Sequence, residues 1–425
     1  MRNQAIKELL MQHELGDVTI YRKGFGLKDQ VSGALKKEYS SSLTKHLREN
    51  GQSLEMGDLR ILLAKDFGFC YGVDRAIDYA YETREMFPGK TIYITYQIIH
   101  NPRVNNRLKE MGIRFLSGDD DGENWTHEDV TEDDVVILPA FGASMEQMQR
   151  LAKTGCTLVD TTCGSVMHVW KRVERYSKDG FTALIHGKYS HEETRATASR
   201  ALKFETGHYL IVRDEAEAQY VCDYIRHGGD RQEFLEKFAN AVSPGFDPDR
   251  DLQQIGVANQ TTMLSSESLH IAKMVQTAMI DRFGAENIKS HFRSFDTICS
   301  ATQERQDAII ELGKQNPDLI LVVGGYNSSN TNHLTEIGLR YAPTFHINEV
   351  ECILSRDSIR HKPFGQKEEV VRDDWLPQGP VSVGVTAGAS TPDKVVEEVI
   401  YRVLECCGYT HEQVLEKAGL LEAAT

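Results

Sequence analysis

Three cysteines stand in the same local setting at three places along this chain of 425 residues. Cys70 closes the apolar run LRILLAKDFGFC, Cys163 closes CTLVDTTC and Cys299 closes FRSFDTIC; the last two share the tail Asp-Thr-x-Cys. An amphipathic helical pattern follows each one. It carries Val73, Ala76, Ile77, Ala80 and Tyr81 after the first, Val166, Val169, Trp170 and Val173 after the second, and Ala308, Ile309 and Leu312 after the third. A thiol between a strand end and a helix start lies at the mouth of an α/β sheet, where ligands bind. The cysteines are far too distant in sequence for a zinc finger or a ferredoxin loop, and three such thiols in three repeated units suggest three domains meeting around one cofactor. Cys156, Cys222, Cys352, Cys406 and Cys407 sit at no repeated loop and read as small buried hydrophobes.

Three thiolates could hold zinc or an iron–sulfur cluster. Catalytic zinc usually takes histidine or carboxylate ligands as well, and the repeat offers neither at the cysteine position. A 4Fe–4S cluster normally takes four thiolates. With three, one iron stays open as a Lewis acid for a substrate oxygen, which signals chemistry rather than simple electron transfer.

Polar residues cluster at other strand ends of the repeat. One set is His100-Asn101, His191-Glu192-Glu193 and Asn327-Ser328-Ser329-Asn330; the other is Ser144, Thr261-Thr262 and Ser390-Thr391. Such side chains at helix starts bind phosphate groups or cap the helix. Any single Ser or Thr reads as a cap. The set converging on three cysteines reads as an anion site, with some residues doing both. His186, inside the strand-like IHGKY, reads as structural. The chain has no Walker loop and no G-x-G-x-x-G, so redox chemistry here calls for an external electron donor.

The elements that must position these loops form an internal threefold repeat of about one hundred residues. Its expected domains are 59–162, 163–298 and 299–425, each α/β with parallel strands and helical crossovers. Residues 1–58 read as a polar extension with the loop RKGFGLK and one surface helix from Ser32 to Glu49. The insertions SGDDDGENWTHED, RHGGDRQEFLEKFANAVSPGFDPDRD and HKPFGQKEEVVRDDWLPQG read as surface excursions. A net charge of −15 argues against a nucleic-acid partner, and no apolar run reaches membrane-spanning length. The N-terminal MRNQAIKELLMQHELGD lacks the apolar core of a signal peptide. The expected compartment is therefore the cytoplasm, where cysteines stay thiols or bind metal.

The segments GFCYGVDRAI, IIHNPRVN, VDTTC, HGKYSHEET, NQTTM, TICSATQERQDA, VVGGYNSSNT and GVTAGASTPDKVVE resemble the 4-hydroxy-3-methylbut-2-enyl diphosphate reductases, which end the methylerythritol phosphate route to isoprenoids. RKGFGLK and the insertions resemble the longer cyanobacterial and plant form. The resemblance implies three α/β domains, related by pseudo-threefold symmetry, around a central iron–sulfur cluster. It implies one 4Fe–4S cluster on Cys70, Cys163 and Cys299 with an open fourth iron. His100, His191, Ser328, Ser329, Asn330 and Ser390 would hold the diphosphate. Glu193 would supply protons, Thr261 would position the substrate hydroxyl and Thr302 would support the proton path. In the short bacterial form an Ala-His-Gly loop supplies a further diphosphate contact; here Phe141 stands in Ala-Phe-Gly, as in the longer form, and that contact is not carried over. The implied partners are a small allylic diphosphate and an external electron donor such as ferredoxin or flavodoxin, with no nucleic acid, no membrane and the oligomeric state open. Two other readings stay open at this point: a three-cysteine cluster lyase resembling quinolinate synthase, and a non-catalytic iron–sulfur sensor or carrier.

Overall fold

The computed structural model describes residues 18–117, 126, 128–295 and 297–421. Residues 1–17 and most of the acidic insertion SGDDDGENWTHED lie outside the described residues.

Three sheets carry the fold. The first runs in the order β1 (Ile20–Tyr21), β7 (Thr157–Asp160), β6 (Val135–Leu138), β4 (Ile92–Ile94), β5 (Ile113–Phe115). The second runs β11 (Phe292–Ser294), β10 (Ile255–Asn259), β8 (Thr182–His186), β9 (Tyr209–Val212). The third runs β13 (Thr344–Ile347), β12 (Leu319–Val323), β16 (Val381–Ala387), β3 (Leu59–Leu63), β2 (Ser53–Met56). Within these sheets every pair is parallel except β2 with β3. The central strands are apolar along their whole length, VVIL in β6 and LILVV in β12, and are buried on both faces as helix-covered parallel strands must be.

The same four-strand order recurs in each sheet. Two successive strands lie side by side, a third flanks the first of them, and a fourth lies beyond the third. This gives β5-β4-β6-β7, β9-β8-β10-β11 and β13-β12-β16-β3. In the third sheet the fourth place is filled by β3, from the beginning of the chain, paired Val381 to Leu59 through Val385 to Leu63. The sequence reading puts β3 in the domain 59–162, but it completes the sheet of residues 299–425 instead. Periodicity along a chain cannot see a pairing that joins its two ends. Each cysteine therefore follows a fourth strand: Cys163 after β7, Cys299 after β11 and Cys70 after β3. Chain order reverses between first and third strands, and the crevice beyond their carboxyl ends is where such sheets bind ligands. The loops there follow β4 and β6, β8 and β10, and β12 and β16.

The chain divides into two compact units. One comprises residues up to Phe25, Arg75–Ile98 and Arg107–Cys299 and holds the first and second sheets; the other comprises Gly26–Asp74, Ile99–Asn106 and the residues from Ser300 onward and holds the third. The extension is not a separate appendage, because β1 lies on the first sheet and β2 on the third. Its expected single helix is two, Lys28–Tyr39 and Ser42–Glu49, since the Ser41 side chain accepts the Thr44 N–H and starts a new one. Two insertions are also more than surface loops. Phe234, Phe238 and Phe246 of the second are buried in the core of the second sheet, and Val242 bridges to Leu210 of β9. The third supplies β15 (Val370–Asp373), antiparallel to the preceding β14 (Ser358–His361), and buries Trp375 and Leu376. In both, polar neighbours diluted the apolar signal.

Candidate active site

One hydrogen bond is repeated at all three cysteines. The Cys163 N–H donates to the Ala140 carbonyl at 2.8 Å, that of Cys70 to Ala389 at 3.2 Å and that of Cys299 to Thr261 at 3.5 Å. Each acceptor is the second residue past the third strand of the cysteine's own sheet. Each cysteine also precedes a helix, Tyr71–Met86, Gly164–Lys178 or Ser300–Gly313, whose N-terminal dipole favours a thiolate. All three are partly exposed, and none is in a disulfide among the described residues. Burial pushes the Cys163 thiol up, bonds from Ser165 oppose this, and charge on Cys299 pushes it up again. A thiophilic metal centre would relieve that hindrance by taking the Cys163 thiol as thiolate.

In the unit of the first and second sheets, the loops after β8 and β10 bring His191, Glu193 and Thr261 together. His191 caps the helix Glu192–Ala201, its Nδ1 accepting the Glu193 N–H at 3.1 Å. Acceptance at Nδ1 leaves the proton of a neutral ring on Nε2, which is then a donor. Glu193 is buried, and its Oε1 accepts the Thr261 N–H at 2.6 Å. Burial raises its pKa from 4.5 to about 7, against the lowering effect of the Thr261 bonds. The carboxyl is thus poised to give and take a proton near neutrality. Thr261 in turn accepts the Cys299 N–H, so the acid and a cysteine loop share one residue. Phe141 is buried with its ring edge toward His191, centroids 6.4 Å apart, and it lines a cleft of about 880 Å³ with Tyr96, Tyr189, Glu192 and Arg195.

In the unit of the third sheet the loops after β12 and β16 are built alike with different chemistry. Ser328 caps the helix Ser329–Gly338, accepting the Thr331 N–H at 3.4 Å. Asn330 Oδ1 accepts the Ala389 N–H at 3.0 Å, which fixes the amide and turns its NH2 the other way. Asn330 Nδ2 and Ser329 Oγ are buried with no hydrogen-bond partner among the described residues. Adjacent unpaired polar atoms are costly, and in the first turn of a helix they suit an anion that accepts hydrogen bonds. Ser390 Oγ donates to the His100 carbonyl at 3.2 Å, and Asn327 Nδ2 lies 3.3 Å from His100 Nδ1. Burial lowers the His100 pKa to about 4, so its ring is neutral. A Cβ at Gly325 would run into the His100 carbonyl, which only glycine allows so close.

Residues 61–404 match the LytB protein family. The chain belongs to that family. It is 54% identical over 391 residues to the 4-hydroxy-3-methylbut-2-enyl diphosphate reductase of Gloeobacter violaceus, covering 91% of this chain and 93% of that one. It is 51% identical over 404 residues to the protein of the same name from Picosynechococcus, covering 95% and 97%. Among solved structures, the E-1-hydroxy-2-methyl-but-2-enyl-4-diphosphate reductase of Plasmodium falciparum shares the fold with a TM-score of 0.57 at 22% identity, over 80% of this chain and 86% of that one.

Within this LytB chain, the structure brings Cys163, Cys299, His191, Glu193 and Thr261 into one unit and Cys70, His100, Ser328, Ser329, Asn330 and Ser390 into the other. Other polar residues of these loops have structural duties. Ser144 forms a capping box with Gln147, the Thr391 hydroxyl donates to the Val323 carbonyl at 3.0 Å, and Thr262 Oγ1 accepts from Gln260 at 2.7 Å. His186 is buried inside β8 with Nδ1 at 2.8 Å from Ser268 Oγ, the structural place expected for it. Thr302 is buried in the first turn of the helix after Cys299. Sequence reasoning missed the arginines behind the cysteine loops. The available signal was an arginine soon after each of two cysteines, in CYGVDR and CSATQER.

Proposed function

We infer that this chain reduces (E)-4-hydroxy-3-methylbut-2-enyl diphosphate to isopentenyl and dimethylallyl diphosphate, the last step of the methylerythritol phosphate route. Kinship over nine-tenths of both chains supplies the substrate. The observation that ties the chemistry to these residues is Glu193, a buried acid titrating at about 7 and bonded to the residue that seats the Cys299 loop. With the family established, the lyase and sensor readings lose their ground.

Three equivalently seated thiols, Cys70, Cys163 and Cys299, would hold one 4Fe–4S cluster with an open fourth iron. When bound, such a cluster supplies electrons and Lewis acidity. Ser328, Ser329, Asn330, Ser390, His100 and His191 hold the diphosphate with neutral donors. Neutral donors suit an acidic chain, since they bind an anion without needing a paired charge. Thr261 positions the substrate hydroxyl and Glu193 holds the proton that the departing oxygen takes. Two electrons and two protons balance the reaction: the hydroxyl leaves as water, and the second proton ends on carbon. Electrons come from a one-electron carrier such as ferredoxin or flavodoxin. In this reading each of the three four-strand repeats belongs to one of three α/β domains, the third closed by β3. Among the described residues no helix is long and apolar enough to cross a membrane, and a cytoplasmic location is part of this reading.

The test is anaerobic purification, metal analysis and assay with the hydroxylated diphosphate and a chemical reductant. About four irons and four sulfides per chain are expected, with formation of both products. Stoichiometric zinc without iron, or no turnover by iron-loaded protein, would overturn the reading.

A further inference from the structure

We propose that the segment from Ile20 to Glu49 is a strap whose Arg22 and Arg48 hold the loops leading into Cys163 and Cys70 in the shape that presents those thiols. The proposal rests on the reading that the thiols bind a metal cluster.

Arg22 acts in the unit of the first two sheets. Pairing of β1 with β7, Ile20 with Leu158 and Tyr21 with Val159, brings the next residue on each strand side by side. Arg22 Nε lies 3.4 Å from Asp160 Oδ2, a carboxylate that is almost fully buried. The other oxygen of Asp160 accepts the Thr162 N–H at 3.0 Å and the Thr162 hydroxyl at 2.5 Å. Arg75 closes the ring: it donates to the Thr162 carbonyl at 2.9 Å and to the Arg22 carbonyl at 3.0 Å. Thr162 is thus gripped at its N–H, its hydroxyl and its carbonyl, and both of the groups that grip it are bound to Arg22. The next residue is Cys163. The strap is itself anchored, since Phe25 packs on Tyr21 and Phe87 and its N–H donates to Glu82 at 2.5 Å.

Arg48 acts in the unit of the third sheet, from the helix Ser42–Glu49. Its guanidinium forks onto Asp393, with Nη1–Oδ2 at 2.6 Å and Nη2–Oδ1 at 2.9 Å, and also donates to the Phe67 carbonyl at 3.1 Å. Its carbon lies 3.9 Å over the Phe67 ring. The following two carbonyls go to Arg305, Gly68 at 2.7 Å and Phe69 at 3.1 Å. Three successive carbonyls are therefore drawn to guanidinium groups just before Cys70. At Gly68 φ is +76°, and a Cβ would come within 2.5 Å of Asp393 Oδ1, so the turn is set against the clamp with no room to spare. Partly exposed ion pairs add little to global stability. Their effect here is local, on the shape of two loops.

The test uses anaerobically prepared holoprotein, as wild type, Arg22→Ala, Arg48→Ala and Arg48→Lys. Each is exposed to an iron chelator with iodoacetamide, and mass spectrometry follows which cysteine is labelled first. Arg22→Ala should speed labelling of Cys163 roughly two- to fivefold, the scale of one partly exposed ion pair, while Cys70 stays near its wild-type rate. Arg48→Ala should do the reverse. Lysine at 48 keeps the charge but not the fork and should rescue only part of the effect. If Arg48→Ala does not fold, Asp393→Asn loosens the same clamp and should also expose Cys70 first. Equal acceleration of all three cysteines, as from general loosening, or an unchanged order overturns the proposal. Wild-type protein without iron would instead refute the cluster reading, so the two failures are distinguishable.

Discussion

Glu193 and Asn330 hold the same place in two different sheets. Each is the second residue of a helix that follows the first strand. A side-chain oxygen of each accepts an N–H from the loop after the third strand, Thr261 for one and Ala389 for the other. Those same two loop residues accept the N–H of Cys299 and Cys70. The scaffold is common, and the difference is a carboxyl in one place and a carboxamide in the other. Burial acts on the carboxyl by making it hold its proton to about pH 7; it acts on the carboxamide by leaving a donor in want of an acceptor. One repeated architecture thus yields a carboxyl that keeps its proton in one sheet and an unpartnered amide donor in the other.

The largest effects should come from the cysteine setting that recurs in all three sheets. Cys70→Ser, Cys163→Ser and Cys299→Ser should each impair the cluster, read as loss of iron and of the visible charge-transfer bands, whereas Cys222→Ser should not. A cysteine variant that retains a normal cluster would remove that residue from the ligand set.

Glu193→Gln makes the acid position resemble its amide counterpart. Turnover should fall roughly a hundredfold or more, the usual scale of general acid catalysis, with a normal cluster and near-normal substrate binding. Wild-type turnover should decline as pH rises through about 7, and the variant should lack that limb. Stability carries the same signature. The folded carboxyl keeps its proton while the unfolded one loses it, so stability falls as pH rises from about 4.5 to about 7. Denaturant titrations across that range should show the slope in wild type and not in the variant. Wild-type turnover in the variant, with electron supply not limiting, would make Glu193 an ordinary helix-start residue.

The donors proposed for the diphosphate, one in each unit, should respond in affinity. Asn330→Ala and His191→Ala should each weaken binding of substrate and inorganic diphosphate by roughly 1.5–3 kcal/mol, one charge-assisted hydrogen bond, with the cluster spectrum intact. Calorimetry showing unchanged affinity in both would take them out of the site. The smallest effect is expected at Phe141, which packs against His191 and has no proton to offer. Phe141→Leu should keep measurable turnover and shift KM; loss of turnover with fold and cluster intact would reveal a further role.

The loops that carry these side chains were legible because each combines a strand-like run, a polar cluster and a helix start within a few residues. The three cysteine settings, LLAKDFGFC among them, were visible for the same reason. Pairing between distant segments was not legible. LRILL could belong to any parallel sheet, and only the structure shows that it closes the third. The break at Ser40-Ser41 turns on one capping bond, which sequence alone does not distinguish from a surface serine. Phe234, Phe238 and Phe246 were hidden among charges that face outward. Arg22, Arg48, Arg75 and Arg305 drew no notice in the sequence, because the carbonyls and distant carboxylates that they meet leave no local trace.

The closure of the third sheet by β3 also bears on when the protein can become competent. During synthesis β3 emerges early, and its parallel neighbour β16 emerges after every other strand of the three sheets. Until then β3 has only the β2 hairpin, and the Ala389 carbonyl that seats Cys70 does not yet exist. The first two sheets can be completed, with Cys163 and Cys299 seated, while the ribosome is still at work. The Cys70 loop is therefore the last of the three cysteine loops to gain its carbonyl partner, after those of Cys163 and Cys299.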